Sequence, residues 1–194
     1  YIVLLQCAWT LSFSNEIIWL SAVVMMGLCG ALWTTTLRLF NGQSDSDSSF
    51  NYWLEIFPFT LHTGWITAAT LVNINVFLVA ASVSVSAQFM AAIASLLVLI
   101  TVAWRCADTD ATIPFVLAWA LNGIYFELAS LSYDDDDEQI LAFSETQINI
   151  AKYGSLVLAL VIVLRVIVQK YYHHQQQQNA SAAPSSTHAD YSPS

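Results

Sequence analysis

The sequence predicts an all-α, multipass transmembrane helix bundle, and three observations carry that prediction. Hydrophobic residues make up 57% of the 194 positions and charged residues only 10%, whereas a water-soluble domain carries roughly a quarter charged residues to solvate its surface. Uncharged runs are long enough to cross a bilayer: 21 residues from Ile17 to Leu37, and 49 between Glu55 and Arg105 interrupted only by His62. The few cations, finally, gather at the ends of alternate segments. The same arithmetic excludes other classes. Five Lys and Arg stand against 14 Asp and Glu, a net charge of −9, so no basic patch exists to neutralise nucleic-acid phosphates. Cys7, Cys29 and Cys106 have neither a disulfide nor a zinc spacing and read as small reduced core residues.

Taken in order, residues 1–13 are apolar but too short to span a bilayer. They begin at Tyr1 without the basic start of a signal peptide, so the expectation is that they are the end of a helix whose beginning has been cut off and that the chain is a fragment. A second helix fits 17–37. Because about 20 apolar residues cross the hydrocarbon, the 49-residue run must hold two helices, near 57–81 and 87–104, with a turn at the serines of 82–86. A fifth segment fits 113–133, with Glu127 as its one charge. A sixth fits 148–169, with Lys152 and Arg165 near its ends, where their stems can snorkel to the headgroups. The bundle is thus expected over 1–169 and a disordered tail over 170–194, because the Gln, Ser and Pro residues there bury too little apolar area to offset ordering.

Arg38, Arg105, Arg165 and Lys170 fall on the tail side of this arrangement, and Lys152 and the acidic run Asp134–Glu138 on the other. The positive-inside rule then places the tail in the cytosol. The Ser/Asp-rich stretch 41–50 reads as a connector, and Asp134–Asp137 as a solvated acidic loop without the spacing of a calcium site. A cytosolic Asn179-Ala180-Ser181 would not be glycosylated.

Polar and aromatic residues inside the spans are the functional candidates. At 100° per residue Pro58, His62, Trp65, Ala69 and Asn73 fall within about 80° of one another, a stripe expected to face the bundle interior. Gln6, Trp9 and Phe13 share a face of the first helix, and Trp119, Asn122 and Phe126 share one on the fifth. Two readings follow from these stripes. In one, the amides and His62 bond neighbouring helices while Ala69 permits close approach. In the other, Trp65 is the flat wall of a ligand pocket with His62 and Asn73 as polar handles. Trp19 and Trp33 are expected at the two membrane interfaces, and Gly27 and Gly30 at a helix contact. No catalytic constellation and no metal site is expected. An enzyme would have to work through His62 or Glu127, and the expectation is that the chain is not one.

Two segments carry a family resemblance. Leu5-Gln6-Cys7-Ala8-Trp9-Thr10-Leu11-Ser12-Phe13 resembles the third helix of the TspO/MBR family of tryptophan-rich sensory and translocator proteins, with Gln6 where the family has Asn. Gly64-Trp65 through Asn73 resembles its fifth helix, where W-x-x-x-A-x-x-x-N recurs. Pro58-Phe59-Thr60-Leu61-His62-Thr63-Gly64-Trp65 and Trp119-Ala120-Leu121-Asn122-Gly123-Ile124 are similar to elements of longer relatives with extra C-terminal helices. The resemblance implies a TspO-like core, helices three to five, extended by three further helices, and two more helices ahead of Tyr1. It also implies a membrane sensor or carrier binding a hydrophobic planar ligand, a porphyrin or other tetrapyrrole or a sterol-like lipid, on Gln6, Trp9, His62, Trp65, Ala69 and Asn73. The alternative is a membrane scaffold without a small-molecule ligand. Membrane lipid is the expected surrounding, no resident cofactor is expected, and self-association stays open.

Overall fold

The computed structural model describes residues 1–42, 52–130 and 143–182. Six α-helices occur among them: α1 (Ile2–Ser14), α2 (Ile18–Gly42), α3 (Phe57–Ala80), α4 (Val85–Cys106), α5 (Thr112–Ser130) and α6 (Glu145–Ala182), with a π-helical turn, Tyr52–Ile56, leading into α3. Five of these helical segments are long and apolar enough to cross a membrane, and α1 is a shorter apolar helix.

Local chemistry sets the helix ends. Pro58 occupies the first turn of α3, where its missing N–H is not needed. The connection from α3 to α4 turns at Ser82, whose φ of 52° is left-handed, and helix resumes at Val85, two residues earlier than its hydrophobicity suggests. The Asp110 carboxylate caps α5 by accepting from the backbone N–H of Thr112 (2.6 Å) and Ile113 (3.2 Å). Helix α6 opens on a capping box: the Gln147 side chain accepts from the Ser144 N–H at 2.9 Å, and the Ser144 hydroxyl accepts from the Gln147 N–H at 3.3 Å.

Two departures from the expected boundaries follow. Helix α2 runs past Arg38 to Gly42, because a charge ends an apolar run but not a helix whose side chains can reach the headgroups. The tail expected to be disordered from residue 170 continues as helix to Ala182. Gln169 pairs with His173, Tyr171 with Gln175 and His174 with Gln178, each four residues apart, and such pairs support a helix even in water. At 1.5 Å per residue α6 is about 57 Å long against roughly 30 Å of hydrocarbon, so its last turns project beyond the bilayer. Asp134–Glu138, the connector from residue 43 to 51 and the tail beyond 182 lie outside the described residues.

Helix α3 is the centre of the packing, flanked by α2 on one side and by α4 and α5 on the other, while α1 packs on α2 and α6 on α4 and α5. Two apolar clusters result. One joins Met25, Leu28 and Leu32 of α2 to Ile66 of α3, with Ile2, Leu5 and Trp9 of α1 against it. The other joins Ala68 of α3, Leu99 and Ala103 of α4, Ile113, Leu117 and Leu121 of α5, and Ala159 and Ile162 of α6. Lipid tails are as apolar as leucine, so close fit and hydrogen bonds hold such helices together rather than hydrophobicity. Gly64 supplies the fit between α3 and α5: a Cβ there would stand 3.0 Å from Val116 Cβ.

Candidate functional site: a lateral groove between α3 and α5

The buried face of α3 is not the stripe that the sequence suggests. Thr60, Thr63, Gly64, Thr67 and Thr70 point inward, a direction roughly 165° around the helix from the stripe of Pro58, His62, Trp65 and Ala69. Pro58 is exposed, His62 and Ala69 are half-buried, and Trp65 is 48% exposed. Only Asn73, 6% exposed, lies at the edge common to both faces. The reason is size and self-satisfaction. Threonine is small, and the hydroxyls of Thr67 and Thr70 donate to carbonyls one turn back, of Thr63 (2.7 Å) and Ile66 (2.6 Å), so their burial leaves no unpaired donor.

This threonine face forms a ladder with α2. The Thr36 and Thr63 hydroxyls meet at 2.8 Å, the Trp33 indole N–H donates to Thr67 Oγ1 at 3.0 Å, and the Ser21 hydroxyl donates to Asn73 Oδ1 at 2.8 Å. Trp9 Nε1 of α1 lies 3.5 Å from the same Asn73 oxygen, and Asn73 Nδ2 donates to the Ala69 carbonyl at 3.1 Å. Trp9 and Asn73 are therefore brought together, whereas Trp65 and His62 are not with them. Gln6 is partly buried on α1, with its Oε1 buried and unpaired among the described residues. Trp33, expected at a membrane interface, turns to α3 instead. Gly27 and Gly30, expected at a helix contact, have open space beyond the Cα; the contact face of α2 is Ser21, Met25, Leu28, Leu32 and Thr36. Cys7 is exposed rather than in the core, and Cys29 and Cys106 are partly buried, all as free thiols.

Trp65 finds its partner on the other side. Its ring lies 5.3 Å from that of Trp119 on α5, with 33° between the planes. Trp119 also lines a groove of about 480 Å³ between α3 and α5, with Phe57, Leu61, Ala111, Thr112, Phe115 and Val116 as the other walls. The lining is apolar and aromatic except at one end. There the Thr112 hydroxyl lies 3.1 Å from Tyr52 Oη, and Tyr52 donates to Asp110, a carboxylate only 4% exposed. From Thr112 to Trp119 is about 10 Å of helix, so the groove runs from a polar mouth at the start of α5 to the tryptophan pair two turns further along.

Of the groove's residues, the sequence singled out only Trp119 and, beside it, Trp65. The signal for the mouth was available in Asp110-Ala111-Thr112-Ile113-Pro114, an acidic cap followed by proline in the first turn, but Tyr52 is 58 residues from Asp110 and no local pattern links them. Arg165 was expected to snorkel. It pairs with Asp108 and lies 5.1 Å over the Trp104 ring, tying α6 to the α4–α5 connection. Glu127 is exposed at the far end of α5. Among the described residues no three His, Cys, Asp or Glu side chains are grouped to hold a metal ion.

Five membrane-length apolar helices around a core closed by hydroxyl and amide bonds define an integral, multipass membrane helix bundle. A family model described as TSPO-like protein matches residues 1–168, and the chain belongs to that family. No curated protein and no solved structure matches it.

Proposed function

We propose that this TSPO-like membrane protein is a sensor or carrier of a hydrophobic planar ligand, a tetrapyrrole or a sterol-like lipid, held in the lateral groove between α3 and α5. The observation that carries the reading is the Trp65–Trp119 pair at 5.3 Å beside an apolar groove of about 480 Å³. That volume lies within the range of small-molecule sites, and aromatic walls with a few polar groups at one end suit a flat ligand. Gln6, Trp9, Ala69 and Asn73 then support the bundle behind the site, and Trp65 contacts the ligand from the lateral face.

A planar ligand stacked on an indole gains about 0.5–1.5 kcal/mol beyond area burial. In nanodiscs, binding of an uncharged porphyrin such as octaethylporphyrin, or of a fluorescent sterol, should therefore saturate and quench tryptophan emission. Trp65→Leu and Trp119→Leu should each weaken it about three- to tenfold. Trp19, exposed at the start of α2, is the control; Trp53 is unsuitable, since its ring is 4.8 Å from that of Phe57 in the groove. Equal effects at Trp65 and Trp19, or quenching that never saturates, would reject the groove as a site. They would favour a second reading, a scaffold without a ligand, which draws on the paired state of Asn73 and Thr67 in the interior.

The proposed orientation puts the C-terminal end of α6 in the cytosol, supported by Arg38, Arg105, Arg165 and Lys170 at that end of the bundle. In a cysteine-free background, a cysteine at Gln175 should label from the cytosol and one at Glu145 from the opposite side. Labelling of both from one side would overturn the orientation and the parity of the spans.

A further inference from the structure

We infer that the groove between α3 and α5 selects amphiphiles whose head group is an alcohol and rejects those whose head is a carboxylate. The inference rests on the proposed reading of the groove as a ligand site and concerns its polar mouth. Asp110 Oδ1 already accepts two backbone N–H groups, from Thr112 and Ile113, and Tyr52 Oη donates its only hydrogen to Oδ2. The Thr112 hydroxyl has two neighbours on its inner side, Tyr52 Oη at 3.1 Å and Asp110 Oδ2 at 3.5 Å. Each of them can only accept from it: the tyrosine has committed its hydrogen, and a carboxylate has none. The threonine hydrogen is therefore directed inward, and what Thr112 offers to the groove that it lines is a pair of acceptor lone pairs.

A ligand head that donates one hydrogen bond, an alcohol, completes this chain. A carboxylate can only accept, so it leaves the Thr112 oxygen facing another acceptor. It also brings a second negative charge close to the nearly buried Asp110, with no cation among the groove's walls to offset it. A flat ligand bearing several carboxylates is thus disfavoured, which narrows the proposed ligand class to neutral, hydroxylated apolar molecules. The length of the groove fits, because the head sits at the start of α5 and the flat body reaches toward Trp119.

The test uses three probes with one aromatic body: 1-pyrenebutanol, 1-pyrenebutyrate and 1-butylpyrene. Energy transfer from tryptophan is measured in nanodiscs at pH 7.5, with affinity referred to each probe's mole fraction in the bilayer so that partitioning cancels. The expected result is saturable binding with the alcohol about tenfold tighter than the carboxylate. Thr112→Val should bring the alcohol within twofold of butylpyrene, and Asp110→Asn, which can still cap α5, should cut the discrimination against the carboxylate below threefold. If the alcohol and the carboxylate bind equally to the unaltered protein, or Thr112→Val leaves the alcohol's advantage intact, the head-group inference is overturned while the groove stands. If none of the three probes saturates, the groove reading itself fails and the inference goes with it.

Discussion

Replacing Gly64 with leucine should destabilise the bundle by about 3 kcal/mol, the upper part of the range for overpacking a filled interface. Even the first added carbon would stand 3.0 Å from Val116 Cβ, 3.1 Å from Val116 Cγ1 and 3.4 Å from the Ile113 Cα, and the last of these is backbone that cannot swing aside. Leucine adds three more carbons on a buried face between α3 and α5. Because α3 also carries the α2 ladder, the helix cannot retreat without breaking the Thr36–Thr63 and Trp33–Thr67 bonds. Unfolding in detergent by denaturant or heat measures the loss. Gly64→Ala should fall between the two, since a single methyl asks Val116 to move by a few tenths of an ångström. A leucine variant as stable as the parent would mean that α3 and α5 do not approach at Gly64. The groove that lies over this contact would then lose its floor.

Asn73→Leu should cost about 1–2 kcal/mol of stability and leave ligand affinity unchanged. One side-chain oxygen of Asn73 receives the Ser21 hydroxyl at 2.8 Å and faces the Trp9 indole N–H at 3.5 Å, so leucine strands donors on two helices. Intramembrane hydrogen bonds average about 0.6 kcal/mol with a maximum near 1.7, and Ser21 can partly recover by donating to a carbonyl of its own helix. A double-mutant cycle with Ser21→Ala isolates the pair, with a coupling of about 0.6–1.7 kcal/mol expected. The opposite pattern, lost binding at unchanged stability, would move the ligand site into the interior and away from α3–α5.

How much of this was legible depends on the scale. The number and order of the spans follow from charge spacing, and the turn near Ser82 follows from polar residues in the middle of a run too long for one helix. The start of α6 was legible in principle, since Ser144-Glu145-Thr146-Gln147 is a capping box, but apolarity alone put it at Ile148. The continuation of α6 to Ala182 was hidden because low hydrophobicity resembles disorder, although glutamine and alanine are good helix formers. At the candidate site, Trp65 and Trp119 were visible as tryptophans within spans. Their meeting was not, nor was the approach of Tyr52 to Asp110, because each joins residues more than fifty positions apart.

Composition and charge spacing alone determine that this chain is a multipass membrane helix bundle, because a bilayer core of roughly 30 Å admits only runs of about 20 apolar residues whose backbone is satisfied within the helix. The tertiary structure decided which way each helix is turned. In water a hydrophobic stripe marks the buried face, but in a membrane an apolar side chain is at home against lipid or against another helix, so hydrophobicity carries no direction. What settles the rotation of α3 is fit: Gly64 against Val116 and the threonine ladder against α2 need the small, self-satisfied face inside. Trp65 is left on the lateral surface, where Trp119 meets it.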